Sequence, residues 1–262
     1  MDRNANDLLF VGAVLVACTV IWEALTHVLD IPVFMLPPPS AALMAIYEKP
    51  HIFIHHASYT LQSTLMGFAL AVVLGVGVAV AIVQSRFLER TLYTLLVTLN
   101  SVPKVAVAPL FIVWMGTGLE PKIAIAAMIA IFAIVIDMVH GLQSVEPEML
   151  DLGRALRGSQ LKIMLKIRFP HALPSLFAGM KVGISLALIG AIVGEFVAAK
   201  RGLGYLIMLS QGQFDTVTMF ASLVILALMG IALFFLIDAL ERVALPWHSS
   251  RRRERSVAVP VK

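Results

Sequence analysis

The sequence predicts an all-α, polytopic membrane protein with six transmembrane helices, on the strength of its charge, its hydropathy and the spacing of its apolar runs. Only 14% of the 262 residues are charged and 60% are hydrophobic, whereas a soluble domain carries about 25% charged residues. The mean hydropathy is +0.92. The apolar residues gather near 8–29, 58–83, 88–115, 123–142, 173–197 and 217–245, and a helix of about 20 such residues crosses a bilayer. No internal repeat or low-complexity linker divides the chain. One membrane domain over 1–248 and a basic tail over 249–262 are expected.

In the first run, Arg3 and Leu15-Val16-Ala17-Cys18 imitate a lipoprotein leader, but the apolar residues continue through Thr19-Val20-Ile21-Trp22. A cleavable leader has a short apolar core, so the run reads as a first span. Cys18 is the single cysteine, which excludes an internal disulfide and an all-cysteine metal site. Next, Met35-Leu36-Pro37-Pro38-Pro39 should be extended, because proline fixes φ and restricts its predecessor. Ser40 can then cap a short interfacial helix reaching Tyr47. In the second run Gly67, Gly75 and Gly77 form a small-residue face suited to close packing. In the third, Pro103 removes a helical N–H and predicts a break. In the fifth, Gly179, Gly183, Gly190 and Gly194 let one side approach a partner helix or leave a gap for a translocation route.

Between Gln143 and Pro170 the oily chain gives way to a basic, helix-forming loop. Glu146, Glu148 and Asp151 precede Arg154, Arg157, Lys162, Lys166 and Arg168. Pro147 suits a first helical turn, and the early carboxylates favour the positive end of the dipole. Met149, Leu152 and Leu156 fall on one face. Gly158 is expected to end the helix in a left-handed conformation and Ser159 to cap a second one. That second helix carries Leu161 and Leu165 on one side, Lys162 and Lys166 on another. Such a loop reads as a docking surface for a cytosolic partner. The alternative, a hairpin lying on anionic lipid, ordinarily has a larger, aromatic-bearing apolar face.

Orientation follows from lysine and arginine placement. Arg3, Arg86, Arg90, the loop cations, Arg242, Arg251, Arg252, Arg253, Arg255 and Lys262 fall on one side. Lys49, Lys122, Lys200 and Arg201 fall on the other. Both termini and the long loop are therefore expected in the cytoplasm.

The chain has no G-x-x-x-x-G-K-[ST], so it does not hydrolyse ATP by that route. It also lacks H-E-x-x-H and G-x-S-x-G, and no enzymatic activity, metal site or nucleic-acid partner is expected. His51, His55 and His56 read as a solvated outer loop without further ligands nearby. Charge inside a span is costly and faces a cavity or a partner. Lys104, Asp137, Lys181 and Glu195 are therefore candidates for a translocation pathway, with His140 beside them and Glu23 and Asp238 nearer span ends. The competing reading is structural pairing, of Lys181 with Glu195 or of Lys104 with Asp137.

Asp151-Leu152-Gly153, then Arg157-Gly158, then Ile167-Arg168-Phe169-Pro170 resemble the EAA loop of ABC importer permeases, whose pattern is Glu-Ala-Ala, three residues, Gly, nine residues, Ile-x-Leu-Pro. Leu36-Pro37-Pro38-Pro39-Ser40, Val102-Pro103-Lys104-Val105-Ala106 and Leu110 through Gly116 resemble the nitrate/sulfonate/taurine-type branch. So do Ala178-Gly179-Met180-Lys181, Gly194-Glu195-Phe196 and Gly202 through Ile207. The resemblance spans about residues 36–245. It departs in two places: Asp151-Leu152-Gly153 is a loose Glu-Ala-Ala, and Arg157 stands where glycine is expected, with Gly158 one place late.

The resemblance implies a type I importer permease (MetI-like) fold with a cytoplasmic coupling helix, in a bacterial inner membrane. It implies that Met149, Asp151, Leu152, Gly153, Leu156, Arg157 and Gly158 couple to an ATPase. The implied partners are a cytosolic ABC ATPase dimer that carries ATP and magnesium, an extracytoplasmic solute-binding protein, membrane lipid and a second permease subunit, either another copy of this chain (the simpler case) or a different permease. The implied solute is a small anion such as nitrate, a sulfonate or taurine. From the residues alone, two other classes stay open. One is an ion-gradient carrier with Asp137 and Glu195 titrating, which inverted repeats would favour; the other is a membrane scaffold that transports nothing.

Overall fold

The computed structural model describes residues 2–93, 98 and 102–246, and among them every regular element is helical. The tail cations Arg251, Arg252, Arg253, Arg255 and Lys262 lie outside the described residues. Helix α1 is Asp2–Val28, α2 Pro39–Glu48 and α3 Pro50–Gln84. A single turn, α4 Arg86–Leu88, leads into a π-helical turn at Glu89–Tyr93. After Pro103 come α5 Lys104–Met115 and α6 Glu120–Gln143. The long loop holds α7 Pro147–Ala155, and α8 Gln160–Ile163 passes through a π-helical turn, Met164–Arg168, into α9 Phe169–Ala198. The chain ends with α10 Leu203–Gly212 and α11 Thr216–Ala244.

Four helices among the described residues are long and apolar enough to cross a membrane: Pro50–Gln84, Glu120–Gln143, Gln160–Ala198 and Thr216–Ala244. Gly12–Val28 and Lys104–Met115 are shorter apolar helices. The expected third span over 88–115 is thus not one helix. It breaks at Pro103, which takes φ −62° and ψ 94° and leaves α5 to start at Lys104.

Helix α6 is the axis of the bundle, clasped by α3 and α9. Gly67 of α3 and Gly190 of α9 both close on Ala126: a Cβ built at Gly67 would lie 2.5 Å from the Ala126 Cβ, and one at Gly190 would lie 2.6 Å from the Ala126 Cα. Gly75 and Gly183 approach Ile134, Gly179 approaches Asp137, and Gly194 approaches Lys122. The fifth-run glycines therefore face α6 within the chain and do not border a gap. Gly77 has nothing within 4 Å and takes no part in the face expected of it. The core here is built of Ala71, Ala130, Ala187, Ala191, Ile134 and Met138, all buried. In hydrocarbon, where there is no hydrophobic force between helices, such small residues associate helices by letting backbones approach.

The segment before α2 departs from the expected extended run. Met35 and Leu36 N–H groups donate to the Pro32 carbonyl (2.8 and 3.2 Å), so residues 32–36 form a turn and only Pro37 and Pro38 continue outside the helix. Pro39 opens α2 and Ser40 does not cap it. Instead Glu23 of α1 accepts both the Ser40 backbone N–H (3.0 Å) and its hydroxyl (2.6 Å). A carboxylate from another helix thus serves the α2 N-terminus, where negative charge is favoured. Trp22 packs on Phe220 at 5.6 Å between ring centroids, tying α1 to α11.

Candidate coupling surface and a second, buried cluster

Pro147 stands at the start of α7, and Glu148 sits in its first turn. Met149, Leu152 and Leu156 are 49%, 58% and 75% exposed, so the predicted apolar stripe is present and uncovered in the single chain. Gly153 points the other way. It is buried, and a Cβ there would lie 2.9 Å from Ile167 Cδ1 and 3.3 Å from Ile163 Cγ1. Its smallness is therefore spent inside the hairpin, seating α7 on the following helix. Asp151 pairs with Arg154 at 2.9 Å.

The end of α7 corrects the sequence expectation at Gly158. The Gly158 N–H donates to the Gly153 carbonyl (3.0 Å) and the Arg157 N–H to the Arg154 carbonyl (2.9 Å). These two bonds define a Schellman turn, whose left-handed residue lies between the cap and the last donor. That residue is Arg157, at φ 54°, and not Gly158. The turn keeps the register of the pattern, and the left-handed position falls where the pattern has glycine. A residue with a Cβ is disfavoured there by about 1–2 kcal/mol. Ser159 caps the next helix as expected, accepting the Lys162 N–H at 3.3 Å. This second helix is not a separate element, because residues Gln160–Ala198 run as one 39-residue rod. The π-helical turn Met164–Arg168 absorbs an extra residue in that rod without ending it.

A second cluster lies at the far end of the bundle. Glu195, near the end of α9, is 1% exposed. The Thr60 hydroxyl lies 2.9 and 3.0 Å from its two oxygens, and the Gly204 N–H donates to Oε2 at 2.8 Å. Thr60 in turn accepts the Leu203 N–H (2.8 Å), and His56 Nδ1 accepts the Gly202 N–H (3.1 Å). Gly202 is required twice over: its φ is 109°, and a side chain there would strike the Glu195 carboxylate. Lys122, fully buried at the start of α6, donates to the carbonyls of Thr117 (2.7 Å), Gly118 (2.7 Å) and Ala198 (2.8 Å). It lies at the same end of the bundle as Glu195, packed against Gly194. Every strong acceptor of this buried set has a donor, as burial demands.

The four pathway candidates are not brought together. Lys181 and Glu195 share helix α9, fourteen residues or about 21 Å of rise apart, so they do not pair. Lys181 instead bonds Asp238 (2.5 Å) and Glu241 (2.6 Å) of α11, and Arg242 closes the network on Asp238 (2.6 Å). Lys104 Nζ lies 4.1 Å from the centroid of the Phe132 ring. Asp137 is half-buried on α6 against Gly179. His51, His55 and His56 sit on the opening turns of α3 and not in a loop, with His56 stacked on Tyr205 at 5.9 Å. Among the described residues no His, Cys, Asp and Glu group could hold a metal ion. Sequence reasoning missed Thr60, His56, Lys122 and helix α10. The available signal was a lysine inside the first turn of one apolar run, and a Gly-x-Gly shortly after the glutamate that ends another.

Residues 71–247 match the family model described as a binding-protein-dependent transport system inner membrane component. The chain is 32% identical over 233 residues to the formylaminopyrimidine transport permease protein ThiX of Halalkalibacterium halodurans, covering 88% of this chain and 93% of that one. It is 28% identical to the taurine transport system permease protein TauC of Escherichia coli, over 92% and 90% of the two chains. A chain of the MetNI methionine ABC transporter in an inward-facing conformation superposes with a TM-score of 0.67 at 20% identity, over 75% of this chain and 97% of that one. That likeness concerns the fold.

Proposed function

Since the chain belongs to the family of binding-protein-dependent transport system inner membrane components, we infer that it forms the membrane passage of an ATP-driven importer and moves its solute inward by alternating access. The protein is an ABC transporter permease and not an enzyme. ATP and magnesium belong to a separate cytosolic ATPase dimer, and solute reaches the permease from an extracytoplasmic binding protein.

The observation that carries this reading is mechanical. The exposed stripe Met149, Leu152 and Leu156 offers apolar area to a partner, and Gly153 lets α7 sit directly on Ile163 and Ile167. Those two residues belong to the rod that continues to Ala198. A push on α7 therefore reaches the far end of α9 without crossing a loop. Differential binding of the ATP-closed partner to one orientation of α7 would shift the permease between two states. Burying three such side chains is worth about 1.5–3 kcal/mol each before association costs, enough to bias that equilibrium.

In this reading six spans cross the membrane, with α1 and the broken 88–115 segment joining the four long helices, and both termini are cytoplasmic. Two copies of the permease meet across the exposed α9 stripe Val182, Ile189 and Phe196. The pathway role is assigned to half-buried Lys104 and Asp137, while Lys181 and Glu195 hold helices through the bonds described above. The solute is a small polar molecule. Resemblance to the taurine-type branch favours an anion, and the relative named for formylaminopyrimidine adds nitrogen heterocycles to the ligands worth screening.

Proteoliposomes carrying the permease with its ATPase, loaded with ATP, are expected to accumulate external solute only when the binding protein is also supplied outside. Accumulation driven by an imposed pH gradient alone would instead identify a secondary carrier. For orientation, reporter fusions after Arg86, near Ser159 and after Lys262 are expected to read cytoplasmic and one near His51 external. An external C-terminus would overturn the even number of spans.

A further inference from the structure

We propose that Arg157 is held in its left-handed conformation to present its guanidinium to a carboxylate of the ATPase subunit, making it a specificity-determining contact beside the apolar stripe. The inference rests on the importer reading above and adds to it a partner chemistry and a reason for the strained backbone at 157. The Schellman turn at the end of α7 would form with less strain if glycine stood at 157. Here the position is arginine, φ 54°, and a glycine is available immediately after it at 158 without taking the left-handed state. Strain kept at a surface turn signals a side chain that is used for something outside the turn. Nothing inside the chain uses it: Arg157 is exposed, and among the described residues its guanidinium has no hydrogen bond or ion pair.

The neighbours say what the partner offers. Arg154 is engaged by Asp151, which removes both from competition. Arg157, Lys162 and Lys166, all exposed, then leave positive charge on the turn and second arm of the hairpin, with Arg157 adjoining Leu156 in sequence. A planar guanidinium fork matches a carboxylate in two parallel bonds, which a lysine cannot reproduce. A contact of that kind at the edge of an apolar patch fixes orientation and rejects partners of the wrong charge.

The test uses the full permease in nanodiscs with the cognate ATPase subunit as probe, over a range of potassium chloride concentrations. Arg157→Gly is expected to raise the melting temperature of the permease alone or leave it unchanged, because the turn relaxes. The same variant should raise the Kd for the ATPase about tenfold, the size of a lost charged hydrogen bond, and flatten its salt dependence. Arg157→Lys should recover only part of the affinity. Leu152→Asp serves as the separate arm for the importer reading. If Leu152→Asp releases the ATPase and Arg157→Gly binds it as tightly as the original chain, this inference fails and the docking reading stands. If neither variant weakens binding, both fail. If the Arg157→Gly effect vanishes in nanodiscs of zwitterionic lipid only, Arg157 is a lipid contact and the proposal is overturned.

Discussion

Lys122→Met is expected to be among the most destabilising single changes in this protein. The side chain is fully buried, and its ammonium donates to three carbonyl oxygens, of Thr117, Gly118 and Ala198. Methionine fills the volume but supplies no donor. The end of α9 and the turn before α6 would then keep unsatisfied acceptors, and Glu195 would lose its nearby positive charge. Removing one member of a buried charged set costs about 3–5 kcal/mol, a large share of the roughly 5–15 kcal/mol that holds a domain folded. Thermal melting in detergent, followed by the loss of the monodisperse peak, measures it. The double variant Lys122→Met, Glu195→Gln should be less damaged than the sum of the two single changes, because a neutral amide no longer needs a counter-charge. A Lys122→Met protein that melts with the original chain would mean that water satisfies these carbonyls and the cluster is not a keystone.

What could be read from the sequence divides along a physical line. Features set by neighbours along the chain were legible. The stripe of Met149, Leu152 and Leu156, the Ser159 cap and the interruption at Pro103 all follow from helical spacing or from proline itself. Glycine identity points to 158 for the left-handed residue, yet it is Arg157 that takes it. The turn is positioned by which donor reaches the Gly153 carbonyl, and that donor is Gly158. Pairings between distant segments were not legible. Lys181 chose Asp238 and Glu241, and Glu195 chose Thr60 and Gly204, because the bundle places α11 and α3 beside α9. No periodicity encodes that choice. The short helix α10 escaped for a related reason: ten residues between Gly202 and Gln213 are too few to span a membrane, and they are helical because they pack on α11 and α9.

The glycines offer the other large effect, and a contrast between one on α9 and one on α3 makes it decisive. Gly190→Ala is expected to destabilise the bundle, whereas Gly77→Ala is expected to leave it unchanged or slightly more stable. At Gly190 the added methyl would sit 2.6 Å from the Ala126 Cα and 3.0 Å from the Ile125 carbonyl oxygen, which are backbone atoms that cannot turn aside. Helix α9 would have to move off α6. The same Ala126 also touches Gly67 of α3 from the other side, so the displacement loosens three helices together. Overpacking of this kind costs about 1–3 kcal/mol, more when the backbone must shift. At Gly77 nothing lies within 4 Å, and replacing a helical glycine by alanine gains up to about 1 kcal/mol of helix propensity. Both residues are small glycines in apolar spans, so hydropathy cannot tell them apart; only the three-helix crossing at Ala126 does. Melting temperatures that fall for Gly190→Ala and hold for Gly77→Ala would fix that crossing as the seam of the fold. Equal tolerance at both positions would mean that α9 does not pack on α6 at Ala126.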